Sequence, residues 1–563
     1  MDATPDTIHH QLPLVEDAIA ALRRGATSLP HTDIGDRIQV IRDIRQLVLE
    51  HAEEWVEVGC RIKSITTSAQ RSEEILVGPS LATRYLTLLI ASLESIVQTG
   101  APTIPGSIKA LPDGRLKVPV CPARGVYDSL FFRGLRAEVW MQPGVTQSNL
   151  HGDLLDLLLN PPSPAPISLV LGAGNVSAIP LTDSLTKLFH EGQVVLLKMN
   201  PVNETLLDVF CKVLAPVIDR GWMQIIQGGA DVGQAALEVS DVSTVHITGS
   251  HHTHDNIVWG ASGEQRQQRQ QDNSPLLQKP ITSELGNVTP WIFVPGDYSR
   301  KQLRFQATNL AASLVNNAGF NCVTTRVIVT WKHWNQREHF LDELDQVLEM
   351  IPPRTAYYPG AYDRFEKFTG QTPPPSDNGS LPWLILRDVD PGEMPQLFND
   401  ESFVSACAEV QLEADSPQDF LQRAAEFCND ELFGTLCAAI TIPNPFRRQE
   451  QTLIDQVISE LNYGSVSINQ FPGLVYGLMT PPWGAAPGSD LANVQSGIGN
   501  VHNLYFLDNF EKTVFYGPLT NSPKPIWFPS HRGAEKIAWK LVPFYGQPSV
   551  MKLPSLLVPA MLG

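Results

Sequence analysis

The chain has little that would tie it to a membrane, a polyanion or an oxidising compartment. Its seven cysteines, at positions 60, 121, 211, 322, 407, 428 and 437, are odd in number and scattered, with no Cys-x-x-Cys pair. That spacing argues against a zinc ribbon and a disulfide framework and points to a reducing compartment. No run of about 18 apolar residues occurs, so no membrane span is expected. The opening stretch, Met1 to Asp6, is acidic and lacks an apolar core, so no secretory signal is expected. Basic residues are in deficit, 41 Lys+Arg against 59 Asp+Glu, for a formal net charge of -18. An acidic chain has no electrostatic case for nucleic acid or anionic lipid. There is no internal repeat. The expectation is a cytoplasmic protein.

What is present is material for two or three domains, 563 residues with 43% hydrophobic and 18% charged content. The first hundred residues read as helical. Ile38, Ile41, Ile44, Val48, His51 and Trp55 form one apolar stripe, and Thr32 or Asp33 stands where a cap belongs. Residues 102–144 are rich in Pro, Gly, Val and aromatics and read as strands and hairpins. From 167 to 250 short apolar runs alternate with amphipathic stretches. Strands are expected at 167–171, 194–198, 223–226 and 244–248, and helices at 178–190, 205–218 and 232–239. This is the pattern of βαβ units around a parallel sheet, which binds ligands at the carboxyl ends of its strands. Residues 149–166, 261–274 and 372–379 read as loops or insertions. The aromatic, Pro-rich tail after Phe510 is expected to pack on the body or on a partner subunit.

Cys322 lies in Asn316-Asn317-Ala318-Gly319-Phe320-Asn321-Cys322, after a Gly-containing polar turn and just before a β-prone run. That is a suitable position for a nucleophile at an element edge. Ser283-Glu284-Leu285-Gly286-Asn287 supplies a carboxylate among apolar neighbours. A thiol that forms a covalent adduct and an acid that activates water make a chemical pair. Gly172-Ala173-Gly174-Asn175 follows the first strand, either as a partial nucleotide fingerprint or as a tight strand-to-helix turn. The Asn175 amide there is placed to donate to an oxyanion. Lys198 ends the second strand, as a ribose or phosphate ligand or as a surface lysine. Gly249-Ser250 opens a helix after the fourth strand and offers backbone donors to phosphate. His251, His252 and His254 follow, but their spacing suits no single helix face and no nearby acid completes a set, so no metal is expected.

In order and rough spacing, Asn175, Lys198, Gly249-Ser250, Glu284-Leu285-Gly286-Asn287 and Cys322 resemble the aldehyde dehydrogenase superfamily. Downstream, Glu401-Ser402-Phe403, Phe433-Gly434, Gly464 to Asn469 and Pro482-Trp483-Gly484 resemble further elements of that family. The resemblance spans about residues 15–505. It implies an α/β fold with a Rossmann-like cofactor domain, an α/β catalytic domain and a small β oligomerisation arm. Expected boundaries are 1–300 for the N-terminal helices and cofactor domain with the arm at about 130–146, 301–500 for the catalytic domain, and 501–563 for the tail. The resemblance implies Cys322 as nucleophile, Asn175 as oxyanion donor and Glu284 as base. It implies Lys198, Gly249, Ser250, Glu401 and Gly174 around NAD or NADP. It also implies an aldehyde substrate and a homo-dimer or homo-tetramer. Pro201 stands where many members carry a ribose-binding acid, with Glu204 displaced nearby, which keeps NADP beside NAD. Val404-Ser405 replaces the usual Gly-Pro. The leading expectation is oxidation of an aldehyde to a carboxylic acid. The alternatives are a CoA-acylating dehydrogenase or acyl-CoA reductase, and a catalytically silent binding or structural member.

Overall fold

The computed structural model describes residues 5–123 and 125–561. Met1 to Thr4, and with them the outermost ends of the expected first and last segments, lie outside the described residues.

The apolar runs between 167 and 284 build a six-stranded sheet. Its order is Met223–Ile226, Val194–Lys198, Ile167–Leu171, Val242–Thr248, Ile281–Glu284 and Gly497–Ile498. The first five strands are parallel and the short sixth is antiparallel. Helices cover the faces, so Val194-Val195-Leu196-Leu197 can be apolar throughout and fully buried. The chain winds outward from Ile167–Leu171 and then returns to its other side at Val242–Thr248. That reversal opens a crevice at the carboxyl ends of the two central strands. Gly172, Lys198, Gly249 and Glu284 all fall at such strand ends.

The second half forms a ten-stranded sheet. Its parallel part runs Leu384–Leu386, Ala406–Leu412, Thr325–Trp331, Thr289–Phe293, Cys437–Thr441, Ser465–Ile468 and Phe510–Tyr516. Period-two alternation sends Val327 and Val329 to one helical layer and Ile328 to the other. Arg136–Met141, Leu116–Cys121 and Lys109–Ala110 continue the sheet antiparallel. The arm that the resemblance assigns to pairing between subunits is therefore hydrogen-bonded, through Phe510–Tyr516, into the sheet of its own chain. The expected boundary at 300 is moved as well. Thr289–Phe293 already belongs to this second sheet, and Phe510–Tyr516, read from sequence as tail, is one of its inner strands.

Local chemistry explains the other departures from the sequence reading. The 38–55 stripe is two helices, Ile34–Glu50 and Ala52–Ile62, broken at His51. Asp33 caps the first, accepting from the Asp36 N–H at 2.8 Å. The 205–218 helix is divided into a tight turn at Pro201–Leu206, a helix Leu207–Val213 and a short helix Ala215–Ile218. Pro216 has no N–H to give to a continuous helix, but it fits a new first turn. The expected loops at 149–166 and 261–274 contain helices Gly152–Leu159 and Glu264–Gln271, the latter burying no residue. The stretch Ser68–Thr99 is long and apolar enough to cross a membrane by composition, yet 83% of its most apolar window is buried inside the protein. It serves as a core element. The tail helix Ala534–Gly546 packs on this stretch, and Arg84 lies 5.2 Å from the Tyr545 ring centroid.

The N-terminal helices are tied to the six-stranded sheet by charge as well as by apolar packing. Lys63 Nζ meets Glu74 Oε2 at 2.7 Å with both side chains almost wholly buried. The Ser177 hydroxyl donates to Glu74 Oε1 at 2.6 Å. A Cβ at Gly59 would stand 2.3 Å from the same oxygen, so glycine is what admits the carboxylate. Removing one partner of a buried pair leaves an uncompensated charge and costs about 3–5 kcal/mol. Glu74→Ala is accordingly expected to lower the urea unfolding midpoint sharply by far-UV circular dichroism. The apolar pair Lys63→Met with Glu74→Leu is expected to recover most of that loss.

Candidate active site

Cys322 follows three consecutive residues in left-handed backbone, Asn317 (φ 51°), Ala318 (φ 58°) and Gly319 (φ 82°). Such a run persists only when its surroundings impose it. Asn317 is the main fastening. Its side-chain amide donates to the Asn175 and Phe320 carbonyls at 3.0 and 3.1 Å, and its oxygen accepts from the Tyr357 hydroxyl at 3.0 Å. Its backbone N–H donates to Glu73 Oε2 at 3.1 Å, and Glu73 is itself paired with Arg354. Asn321 closes the loop onto Asn316, donating to its side-chain oxygen at 2.9 Å. Phe320 is fully buried against Tyr357, Tyr358 and Phe403. A Cβ at Gly319 would meet the Val404 carbonyl at 2.9 Å, which together with its positive φ requires glycine. Asn317, Phe320 and Asn321 are thus the structural ties of the loop.

Glu284 ends its strand beside the thiol, with Cys322 Sγ 3.4 Å from Glu284 Oε1. The opposite carboxyl oxygen, Oε2, is buried without a hydrogen-bond partner among the described residues, although the Trp483 indole adjoins it. Burial first, and the charge of Asp183 second, push the Glu284 carboxyl up to about 7. Trp483 and Cys322 oppose this rise, though the Trp483 indole N–H makes no hydrogen bond among the described residues. Burial, then the carboxylates of Glu284 and Glu401, hold the Cys322 thiol well above its ordinary range. The thiol is therefore protonated at neutral pH, and no helix end activates it. Glu284, titrating near neutrality at hydrogen-bonding distance, is the group placed to take its proton.

Asn175 is buried, and its side-chain amide donates to the Phe320 carbonyl at 3.0 Å. One of its two N–H donors is spent in holding the nucleophile's own loop. Glu401 is pushed up to about 7 by burial, against the pull of Arg326. Its Oε1 has no partner among the described residues, and a Cβ at Gly286 would stand 2.3 Å from its Oε2. Glu284, Asn175 and Glu401 are thus gathered around the Cys322 segment.

Lys198, Gly174, Gly249 and Ser250 lie along the crevice of the six-stranded sheet. Burial lowers the proton affinity of the Lys198 ammonium, opposed by Glu204 and Asp231. Gly174 is approached so closely that a Cβ would meet Asn200 Oδ1 at 2.6 Å and the Tyr358 hydroxyl at 2.9 Å. Ser250 caps the exposed N-terminus of helix His251–Trp259. An acid distant in sequence does join two of the histidines here. His251 and His252 lie 3.8 and 3.4 Å from the Asp400 oxygens. Lys367 Nζ already stands 3.4 Å from Asp400 Oδ2, and the positive end of the helix dipole opposes a cation. Burial pushes His251 down to about 4, so the ionic contacts of Asp400 are those with Lys367 and, when it is protonated, His252, which Asp400 favours in its charged form; His254 is buried elsewhere on the helix.

Sequence reasoning missed the braces Asn317, Tyr357 and Glu73, and also a buried polar set behind Glu284. Asp183, Lys187 and Glu191 recur every four residues on and just beyond the buried helix Ile179–Phe189. Polar residues at helical spacing on a buried element were the available signal. An apolar wall also meets the nucleophile, with Val323, Phe471, Leu474, Tyr476 and Trp483 in the cluster against which Cys322 packs.

Residues 164–355 match the family model described as aldehyde dehydrogenase family. No curated protein sequence matches the chain. Among solved structures, an aldehyde dehydrogenase from Pseudomonas aeruginosa is 18% identical, with 90% of this chain and 89% of that chain covered at a TM-score of 0.60. A Mycobacterium tuberculosis aldehyde dehydrogenase complexed with NAD+ is 15% identical, with 91% of each chain covered at 0.60. An indole-3-acetaldehyde dehydrogenase complexed with NAD+ is 17% identical, with 90% and 89% covered at 0.58. The chain therefore carries the aldehyde dehydrogenase fold along about nine-tenths of its length, with a segment matching the aldehyde dehydrogenase family over the parallel strands of the six-stranded sheet and the Cys322 loop.

Proposed function

We propose that the chain oxidises an aldehyde to a carboxylic acid with NAD or NADP. The observation that carries this reading is the 3.4 Å contact between Cys322 Sγ and Glu284 Oε1, formed where the carboxyl end of a cofactor-type sheet meets the catalytic sheet. Glu284 takes the thiol proton as Cys322 attacks the aldehyde carbon, giving a thiohemiacetal on the sulfur. The second N–H of the Asn175 amide donates to the resulting oxyanion. A bound nicotinamide supplies the hydride acceptor. Glu284 releases that first proton to solvent, then takes a proton from the water that hydrolyses the thioester on Cys322 and returns it to the departing sulfur, which regenerates the thiol.

The residues fit a dinucleotide. Lys198 is a cation at a strand end, the Ser250 helix opens toward solvent, and Glu401 keeps a buried acceptor oxygen without a partner among the described residues. Glu204 accepts from the Gly228 N–H at 2.7 Å, so the nearest acid to Lys198 is already engaged by backbone. This favours keeping NADP as well as NAD. Tyr476, Trp483 and Phe471 beside Cys322 suit an apolar or aromatic aldehyde. Glu284 at the sulfur favours water over CoA as the deacylating group, since transfer to CoA needs no such base.

The deciding experiment is a screen of aldehydes with NAD, NADP and CoA on the purified chain. Acid formation with a nicotinamide cofactor is expected. Acyl-CoA formation alone would replace this reading with the acylating one, and inertness throughout would favour a binding protein. Given an active substrate, Cys322→Ala is expected to abolish oxidation by at least about 10³-fold while cofactor binding by calorimetry persists. Glu284→Gln is expected to accumulate an acyl adduct on Cys322, read by intact-mass spectrometry. In the unmodified chain, turnover should fall as pH drops through about 7, where Glu284 takes up a proton and is lost as base.

A further inference from the structure

Thr248 lies directly opposite Glu284 in the parallel strand pair. Its hydroxyl donates to Asp183 Oδ2 at 2.7 Å, and His246 Nε2 lies 3.6 Å from the same oxygen. Asp183 is fully buried, yet its other oxygen, Oδ1, finds no hydrogen-bond partner among the described residues. The same is true of Glu284 Oε2. Two buried carboxyl groups, each with one unsatisfied oxygen, thus flank one strand pair. Natural proteins rarely leave such groups without a purpose.

A string of side chains leads outward from this second acid. His246 Nδ1 meets the Thr282 hydroxyl at 2.9 Å, and Thr282 accepts from Lys187 Nζ at 3.0 Å. Lys187 pairs at 2.7 Å with Glu191, whose side chain is partly exposed. Asp183 is therefore linked to a solvent-facing group while lying deep in the sheet–helix interface.

We propose that Asp183 is a positioning residue for Glu284, a second buried carboxylate that sets when Glu284 holds a proton and when it is free to act as base. This rests on the reading of Glu284 as the base. The physical ground is that two like charges in a dry site oppose each other's ionisation, so the proton is retained on one of them to higher pH. The other groups facing Glu284 are Cys322 and Glu401, with Cys437 behind them in the catalytic sheet and Tyr476 from helix Gly473–Leu478. His246 and His502 face Asp183 from the neighbouring strands. Asp183 reaches the thiol through Glu284, whose Oε1 stands 3.4 Å from Cys322 Sγ and whose charge acts on that thiol directly.

The test needs neither aldehyde nor nucleotide. The full chain is alkylated with iodoacetamide across a pH series, and modification of Cys322 is separated from that of exposed Cys211 by peptide mass spectrometry. In the unmodified chain the Cys322 rate should rise across neutrality, as the thiol–carboxyl pair loses its first proton. Asp183→Asn keeps volume and an acceptor for Thr248 but removes the charge. It should move that rise down by about one pH unit. Asp183→Ser is a second neutral variant with the same expected direction, should the first fold poorly, and Asp183→Glu should restore the original profile. In a Glu284→Gln background, Asp183→Asn should leave the Cys322 profile unmoved. An unshifted profile in the neutral variants, or an equal shift without Glu284, would overturn the proposal. Lack of turnover with every aldehyde and nucleotide would end the aldehyde reading and leave this titration standing.

Discussion

The site depends on a four-residue crossing. Ile281–Glu284 ends in the six-stranded sheet, and Thr289–Phe293 begins in the ten-stranded one. Between them Asn287 fixes the passage. Its amide donates to the Cys437 carbonyl at 2.9 Å and to the Thr289 hydroxyl at 2.9 Å, while its oxygen accepts from the Leu436 N–H. The Thr289 hydroxyl in turn donates to the Cys322 carbonyl at 3.2 Å. One buried side chain therefore sets the register between the sheet that ends at Glu284 and the sheet whose strand Thr325–Trp331 follows Cys322. The 3.4 Å contact between Glu284 and Cys322 is a product of that registration.

Burial then determines the chemistry. In water a carboxyl and a thiol lie far apart on the pH scale, and the acid is too weak a base to help the thiol. Here desolvation raises both, and the neighbouring carboxylates raise the thiol further. The arrangement holds the sulfur in its protonated form at neutral pH, 3.4 Å from the Glu284 carboxyl. A cysteine at a helix N-terminus would be a standing thiolate, open to oxidation. Half-buried Cys322 is controlled by its partner.

The parts of this arrangement that were legible in the sequence were those written in local pattern. Buried parallel strands are continuous apolar runs, so Ile167–Leu171 and Val194–Lys198 could be read directly, and with them the strand-end positions of Lys198 and Glu284. The order of motifs along the chain located Cys322. What could not be read was contact between distant segments. Asn317 looks like any turn asparagine until Tyr357, Asn175 and Glu73 are brought around it. Asp400 completes a cluster with His251 and His252 that no spacing rule connects. The strand at the start of the tail went unread for the same reason, although the helix Ala534–Gly546 does pack on the body. Phe510–Tyr516 reads as surplus apolar sequence, since nothing nearby indicates that its pairing partners are Arg136–Met141 and Ser465–Ile468.

That strand also bears on how the molecule comes into being. The inner position between Ser465–Ile468 and the arm strands is filled by residues synthesised some 370 positions after Arg136–Met141. Until Phe510–Tyr516 leaves the ribosome, Arg136–Met141 and Ser465–Ile468 each present an unpaired edge, one of them adjoining Cys437–Thr441 and the crossing at Asn287. Open edges of that kind invite association with other chains. The five parallel strands of the six-stranded sheet can assemble early from contiguous βαβ units, with only Gly497–Ile498 to be added later. The catalytic half waits for a distant segment, so the nascent chain passes through an interval in which it needs protection from its neighbours.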